Sequence, residues 1–493
     1  MTAMNWLVIY PELWLLVLAC TVLLADLFSH DPQRRLSFWL TQAGIAVFAL
    51  LHLLDYNAGL TAYGMNDMVV VDPMGRLLAI CAALATMITL GYARPTLASR
   101  EMNKGEFYLL TLFVLLGISV MCSANHFLVL YLGLELMSLS LYALCALRRD
   151  HALATEAAMK FFVLGALASG FLLYGLSMMY GATGSLEIPR VFEQIATGRI
   201  NKDVLIFGVV FVVAGLAFKL GAAPFHMWVP DVYHGAPTAV TLLIAAAPKF
   251  AAFAITIRLL VEGLLGLAVD WQQMLIVLAV ASLAVGNIAA IAQTNLKRML
   301  AYSSIAQMGF IVLALAAGVV SGNTLSAGNA YSSSMFYLVT YVLTTLGTFG
   351  LIMFLSRQGF ESEEIADLAG LAKRSPWVAG VMTIFMFSLA GLPPMVGFFA
   401  KLAVLQALVT TNVGFYIVLA VVAVLLSLIG AFYYLRVVKV MWFDEPTQTA
   451  PVWQTQGVTL LLAANGAAVF LFGPFSGGVM AMCRDAIVKA LAS

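Results

Sequence analysis

Charge is what this sequence has least of. Only 10% of its 493 residues are Asp, Glu, Lys or Arg, against about 25% in an ordinary soluble domain. A water-soluble fold is excluded, because so few charges cannot dress its surface while 62% of the chain is hydrophobic. Disorder is excluded by the same numbers. Neither sign of charge dominates, with a formal net charge of +1, so no basic face invites nucleic acid and no acidic tail buffers cations. Cysteine is scarce too: Cys20, Cys81, Cys122, Cys145 and Cys483 are scattered and form no CxxC. That argues against a disulfide framework, an iron–sulfur cluster and a zinc site. There is no Walker A loop, no GxGxxG opening a helix and no His/Cys metal spacing, so ATP, NADH, flavin and redox metals are not expected on this chain. No Lys or Arg precedes the first apolar stretch and no small-residue cleavage site follows it, which predicts a retained first span rather than a signal peptide.

Long apolar runs are what the chain has most of. A membrane helix needs about 20 mostly apolar residues. That ruler gives fourteen spans, near 6–28, 36–54, 69–92, 107–123, 126–147, 157–180, 203–223, 237–262, 272–292, 298–319, 329–356, 377–408, 413–441 and 455–476. They are numbered 1 to 14 below. The prediction is an all-α polytopic membrane protein with no soluble domain. Loops after odd-numbered spans hold 14 of the 25 Lys and Arg residues, and loops after even-numbered spans with both termini hold five. Odd loops are therefore expected in the cytoplasm and both termini outside. The 6–7 loop, with Arg190, Arg199 and Lys202, dissents.

Six cations fall inside spans: Arg76, Lys160, Lys219, Lys249, Arg258 and Lys401. Three have a carboxylate one turn away, predicting the local pairs Asp72–Arg76, Glu156–Lys160 and Arg258–Glu262. Lys219, Lys249 and Lys401 have none within four residues, and Glu135, deep in span 5, has no base within four. A desolvated lysine gives up its proton more readily and a desolvated carboxyl keeps one, as a proton relay across a membrane requires. The rival explanation is a static buried ion pair with two water-solvated lysines. Three lesser candidates are Lys160, whose pair with Glu156 would reach well into span 6, His226, which could link Lys219 to Lys249, and Lys297, which with Arg298 counts first as a positive-inside anchor.

The backbone points to the same places. Gly221 and Pro224 interrupt span 7 two residues after Lys219, and Gly391, Pro393 and Pro394 interrupt span 12 ahead of Lys401. A break in lipid is tolerated only where protein buries it or it lines a wet cavity. Breaks five spans apart imply two inverted five-helix repeats, because a unit with an odd number of spans inserts the other way up. The expected organisation is residues 1–106 as a three-helix segment, 107–262 as the first repeat (spans 4–8), 263–441 as the inverted repeat (spans 9–13) and 442–493 as span 14 and a tail. Prolines that merely kink packed helices are the alternative.

Three stretches, FKLGAAPFHMWVPDVYHGAPT (218–238), LKRMLAYSSIAQMG (296–309) and SLAGLPPMVGFFAK (388–401), resemble the antiporter-like membrane subunits of respiratory complex I, a family shared with multisubunit sodium/proton antiporters. The resemblance spans essentially the whole chain. It implies that Glu135 on helix 5 pairs with Lys219 on the broken helix 7, that Lys249 follows on helix 8, and that Lys401 is the ionisable residue of the broken helix 12. It also implies proton pumping coupled to electron transfer from NADH to quinone, with FMN and iron–sulfur clusters held by partner subunits and no cofactor here. The implied neighbours are another antiporter-like subunit, the small membrane subunits nearest the quinone site, and lipid of a bacterial inner membrane. Quinone, reduced in the same complex, is not expected to bind this chain. Homologous subunits with glutamate on helix 12, or with a long C-terminal amphipathic helix, match less well. A gradient-driven sodium/proton antiporter subunit and a purely structural scaffold remain rival readings.

Overall fold

In lipid every backbone N–H and C=O must be satisfied within the chain, and helices do this segment by segment. The computed structural model describes residues 5–492 apart from 60, 101, 199, 321, 358, 448–451, 453 and 454, so Arg199 of the 6–7 loop lies outside the described residues. Among them, twelve helices are long and apolar enough to cross a bilayer: Trp6–Phe28, Arg35–Ala58, Pro73–Ser99, Gly105–Ser123, Phe127–Cys145, Ala152–Thr183, Lys202–Leu220, Thr238–Gly263, Leu265–Ile291, Leu296–Leu315, Ala327–Leu355 and Gly414–Phe443. These are spans 1 to 11 and 13. Span 12 is split into two short apolar helices, Pro376–Ala390 and Val396–Val409, and span 14 is Gln456–Leu471, bent by 82° into a further helix, Ser476–Ala492. The polytopic all-α reading therefore holds.

Several edges differ from the sequence reading, each for a physical reason. Residues 69–71, counted into span 3, are three valines that form a strand, Val69–Val71, paired antiparallel with Ala62–Gly64; β-branched side chains favour the extended backbone. Asp72 then caps span 3 by accepting from the Gly75 N–H, and Pro73 opens the helix. The 6–7 loop contains a helix, Ile188–Ala196, that buries Ile188, Val191 and Ile195 along one face. The predicted tail is the helix Ser476–Ala492, which packs back on spans 3 and 11. Arg484, Asp485 and Lys489 had lowered its hydropathy below that of a span.

Span 8 is the axis of the fold. Every residue of its apolar window is buried, whereas span 13 leaves Leu425, Leu428 and Phe432 exposed, as a helix facing lipid or a neighbouring subunit would. Proline removes a helix donor, and Pro248 interrupts span 8 after Ala245; its last turn, Ile257–Gly263, is a π-helix. Arg100, Arg148, Lys297, Glu361 and Glu363 together line one cavity of about 140 Å³. Four odd-numbered loops, 3–4, 5–6, 9–10 and 11–12, thus contribute to one cavity.

The local pairs fare unevenly. Glu156–Lys160 and Arg258–Glu262 both form, each at 2.8 Å. Asp72–Arg76 is corrected. Because Asp72 is the cap residue, its side chain turns back on the helix end, and its carboxylate meets Arg258 at 2.7 Å. Arg76 reaches the Asp55 carboxylate at 3.9 Å and the Asp55 carbonyl at 2.7 Å.

Candidate functional site

Both breaks are made the same way. The first half of span 7 ends at Gly221 (φ 79°) and the first half of span 12 at Gly391 (φ 85°), both in the left-handed region that glycine alone adopts without strain. The Ala222 N–H then donates to the Ala217 carbonyl at 2.8 Å, and the Leu392 N–H to the Phe387 carbonyl at 2.9 Å, the same six-to-one closure of a helix end. Donors freed by the breaks go to serines: Ala223 N–H to Ser282 Oγ at 2.8 Å, and Gly397 N–H to Ser388 Oγ at 3.2 Å.

Lysines sit at the carbonyl ends. Lys249 Nζ donates to the Leu220 carbonyl at 2.9 Å. Lys401 Nζ donates to the carbonyls of Leu389 at 3.1 Å and Ala390 at 2.8 Å, and to Ser427 Oγ at 2.7 Å. A helix C-terminus is the negative end of the peptide dipoles, so each ammonium is held there without a carboxylate.

Lys219 projects toward span 5. Its ammonium donates to Ser138 Oγ at 3.0 Å and to Ser169 Oγ of span 6 at 3.4 Å. Glu135 stands one turn before Ser138 on span 5, and its Oε1 is buried without a hydrogen-bond partner. In this structure the glutamate and lysine are neighbours, with the ammonium on Ser138 rather than on the carboxylate.

Lys219 and Lys249 line one cavity of about 30 Å³ with Ser138, Tyr142, Phe161, Trp228 and Pro248. A water needs about 10–15 Å³ measured this way, so one or two fit between the lysines. Trp228 is one wall: it stacks on Phe161 with ring centroids 4.7 Å apart, donates to the Phe218 carbonyl at 3.0 Å and presents its face to Lys249 Nζ at 5.7 Å. His226 stands in the break, with Nδ1 buried and unpartnered, and does not line this cavity. Any step between the two lysines thus has Trp228 and Ser138 beside it, not His226.

Two further candidates lie elsewhere. Lys160 is half exposed and meets both Glu156 and Asp231 at 2.8 Å, while Arg298 meets Asp231 at 2.7 Å. Lys297, only 1% exposed at its side chain, donates to Glu363 at 2.9 Å and the Ala236 carbonyl at 2.8 Å. It is a buried group under the loops, not an anchor in the lipid interface. Above it His151 lines the same 140 Å³ cavity, and burial, with Arg148 next, pushes its imidazole below the usual 6.5.

Sequence reasoning missed the neutral polar groups. The Leu389 carbonyl that holds Lys401 also accepts from Gln307 Nε2 at 3.1 Å, and Gln307 bonds Tyr337 and Tyr434. Ser303 and the Tyr434 hydroxyl are 2.5 Å apart, and Tyr341 donates to Ser304 at 2.8 Å. The only signal for this network was the density of Ser, Gln and Tyr in spans 10 and 11. Among the described residues no group of three or more His, Cys, Asp or Glu side chains could hold a metal ion.

Comparison with known proteins identifies the family. Residues 124–427 match the family model described as NADH:quinone oxidoreductase/Mrp antiporter, TM. The chain is 61% identical over 497 residues to the NADH-quinone oxidoreductase subunit N of Herminiimonas arsenicoxydans, covering 100% of both chains. It is 59% identical to the protein of the same name from Polaromonas naphthalenivorans, covering 98% of this chain and 97% of that one. A chain of respiratory complex I from Thermus thermophilus with bound aureothin superposes with a TM-score of 0.81 at 31% identity, covering 97% of this chain and 100% of that one. A chain of the Mrp complex from Dietzia shares the fold at a TM-score of 0.84 and 19% identity, covering 98% and 97%. The chain belongs to the family of antiporter-like membrane subunits common to NADH:quinone oxidoreductase and the Mrp antiporter.

Proposed function

We propose that this chain is a proton-translocating membrane subunit of an NADH–quinone oxidoreductase, moving protons while partner subunits carry electrons. The observation that carries it is the set of three lysine ammoniums inside the bundle, each held by neutral oxygens. Lys219 rests on two hydroxyls, Lys249 on one carbonyl, and Lys401 on two carbonyls and a hydroxyl. Such acceptors hold the charged form less firmly than a carboxylate does, so each lysine can lose and regain a proton.

Glu135 is the switch. Closing its carboxylate on Lys219 stabilises the charged lysine; parting them releases the proton toward Lys249 through the shared cavity. Two unit charges 4 Å apart interact by about 4 kcal/mol at an effective dielectric of about 20, enough to move a proton equilibrium by several factors of ten. Lys401 then passes the proton outward from the second half. Spans 4–8 and 9–13 are read as the inverted repeats that supply the two halves, with residues 1–106 and 442–493 outside them. FMN and the iron–sulfur clusters belong to partner subunits, and quinone is reduced without binding here. Both termini are read as facing the outer side of a bacterial inner membrane, and the neighbours as another antiporter-like subunit and the small membrane subunits.

The test is proton translocation per NADH oxidised in vesicles carrying the assembled complex. Lys219→Ala and Glu135→Ala should cut it, and Glu135→Asp much less. Full stoichiometry in Lys219→Ala with assembly intact rejects the relay, and lost assembly with normal pumping per assembled complex supports a scaffold. Sodium-dependent proton uptake without NADH would move the chain to the antiporter.

A further inference from the structure

Away from the lysines, the end of the bundle where span 1 begins holds a second set of ionisable groups. Glu12 stands in the first turn of the α-helix Tyr10–Phe28 of span 1, 9% exposed, and His52 near the end of span 2, 5% exposed. Both line a cavity of about 10 Å³ with Asp72, Arg76, Ser119 and Ser123. That is about the space of one water.

The titratable and charged groups around it can be counted by element. Span 1 contributes Tyr10 and Glu12, span 2 His52 and Asp55, span 3 Asp72 and Arg76, span 4 Cys122, and span 8 Arg258 and Glu262. Arg76 meets Asp55, while Arg258 meets Asp72 at 2.7 Å and Glu262 at 2.8 Å and donates to the Cys122 carbonyl at 3.0 Å. Two cations thus already face three carboxylates. Glu12 makes no ion pair among the described residues; its Oε1 accepts from Ser119 Oγ at 2.7 Å. An ionised Glu12 would be an uncompensated buried charge, which costs far more than holding a proton. His52 is the complementary oddity: both ring nitrogens are buried without a hydrogen-bond partner, while its ring packs edge-on to Phe48 at 4.5 Å. A buried donor and acceptor left unmade cost about 1–3 kcal/mol each, and the water-sized cavity that His52 lines offers a place for a partner.

We propose that Glu12 and His52, with one water in the cavity they both line, form a shared proton-binding site separate from the three lysines. The proton sits on the Glu12 carboxyl or, by transfer through the water, on the His52 imidazole. The first arrangement is a neutral pair and the second an ion pair, and no other group changes charge. Asp72 joins this cavity to the surface side: its partner Arg258 lines, with Glu262, Tyr63 and Phe192, a pocket of about 390 Å³. In the orientation proposed above that pocket faces outward, so a part in proton release rests on the proposed function; the proton binding itself does not.

Infrared difference spectroscopy on the purified, assembled complex tests it, by following the C=O stretch of protonated carboxyl groups. Glu12→Gln should remove one such band. Ser119→Ala, which deletes the hydroxyl donor and leaves every titratable group, should shift that band to higher frequency. His52→Phe keeps the ring packing on Phe48 and should strengthen the band, because the proton has no imidazole to visit. An unshifted band in Ser119→Ala, or a full set of bands in Glu12→Gln, overturns the site, and an unchanged band in His52→Phe overturns the sharing. If Glu12→Gln fails to assemble, the Ser119→Ala shift decides alone. The band should survive Lys219→Ala, so failure of the lysine relay and failure of this site are read separately.

Discussion

The two broken helices solve one problem with different lysines. In span 7 the exposed carbonyl end is held by Lys249, which comes from span 8, and the lysine of the broken helix itself, Lys219, rests on Ser169 and on Ser138, one turn from Glu135. In span 12 the same place is held by Lys401, from the second piece of that same helix, through two carbonyls and Ser427. The first break therefore has one lysine at its carbonyl end and another on its own helix, whereas the second has a single lysine. A capping lysine without a carboxylate beside it can respond only to a change in solvation or to a proton arriving from elsewhere. In the proposed relay, the response to charge then falls to the first repeat and the final transfer to the second.

The largest expected effects come from removing the capping lysines. Lys249→Ala and Lys401→Ala should each lower proton translocation through this chain by about tenfold or more, for which a barrier higher by only about 1.4 kcal/mol suffices. They should differ in stability. Lys401→Ala leaves two carbonyls and a hydroxyl without their charged donor and Lys249→Ala only one carbonyl, and each such bond is worth about 1.5–3 kcal/mol. Thermal unfolding of the purified complex compares them. Equal losses of stability would mean that the second break does not depend on its own lysine.

Next come the glycines. An alanine held in the left-handed region costs about 1–2 kcal/mol, so Gly221→Ala and Gly391→Ala should both destabilise. A Cβ at Gly391 would stand 2.7 Å from Lys401 Cδ, whereas one at Gly221 would stand 2.9 Å from a Val229 methyl and 3.6 Å from Lys249 Nζ. Gly391→Ala should thus also impair translocation by displacing its lysine, and Gly221→Ala much less. Similar losses in both would show that the lysine seats tolerate movement. A change confined to one bond, Ser427→Ala, removes one acceptor of three at Lys401 and should cost about 1.5–3 kcal/mol, altering the pH profile of translocation rather than abolishing it.

What was legible in the sequence follows from how far each signal reaches along the chain. Gly221, Pro224, Gly391 and the lysines beside them announce themselves because a break and an unpaired cation are both exceptional in an apolar run. Ser138, Ser169 and Ser427 do not. Serines occur on many helices, and only the rotation of each helix decides which hydroxyl meets an ammonium. The hydropathy ruler took Val69–Val71 for helix because it scores apolarity and not backbone preference. The pairing of Asp72 with Arg76 failed because spacing one turn apart has meaning only inside a helix, and Asp72 caps one. Lys297 stood beside Arg298 as an apparent surface anchor; its burial on Glu363 depends on a loop 66 residues away.

The smallest effect sharpens the comparison at the helix starts. Span 5 and span 10 occupy matching places in the proposed repeats. Span 10 is capped by Asn295, which accepts from the Arg298 N–H at 3.0 Å, and span 5 by His126, whose Nδ1 accepts from the Leu128 N–H at 3.2 Å. Only the imidazole titrates, and it can accept at Nδ1 only while neutral. Burial lowers the proton affinity of His126 below the usual 6.5, against a smaller opposite pull from Glu187. Below pH 6.5 the unfolded chain then binds more protons than the folded one, so this contribution is present above 6.5 and declines as the pH falls toward the folded value. His126→Asn should keep the cap, worth about 0.5–1 kcal/mol, and flatten that decline. Thermal unfolding of wild type and variant from about pH 7 down to about pH 5, either side of the ordinary histidine range, measures it. Two parallel curves would show that the span 5 cap does not titrate and that the two helix starts are equivalent.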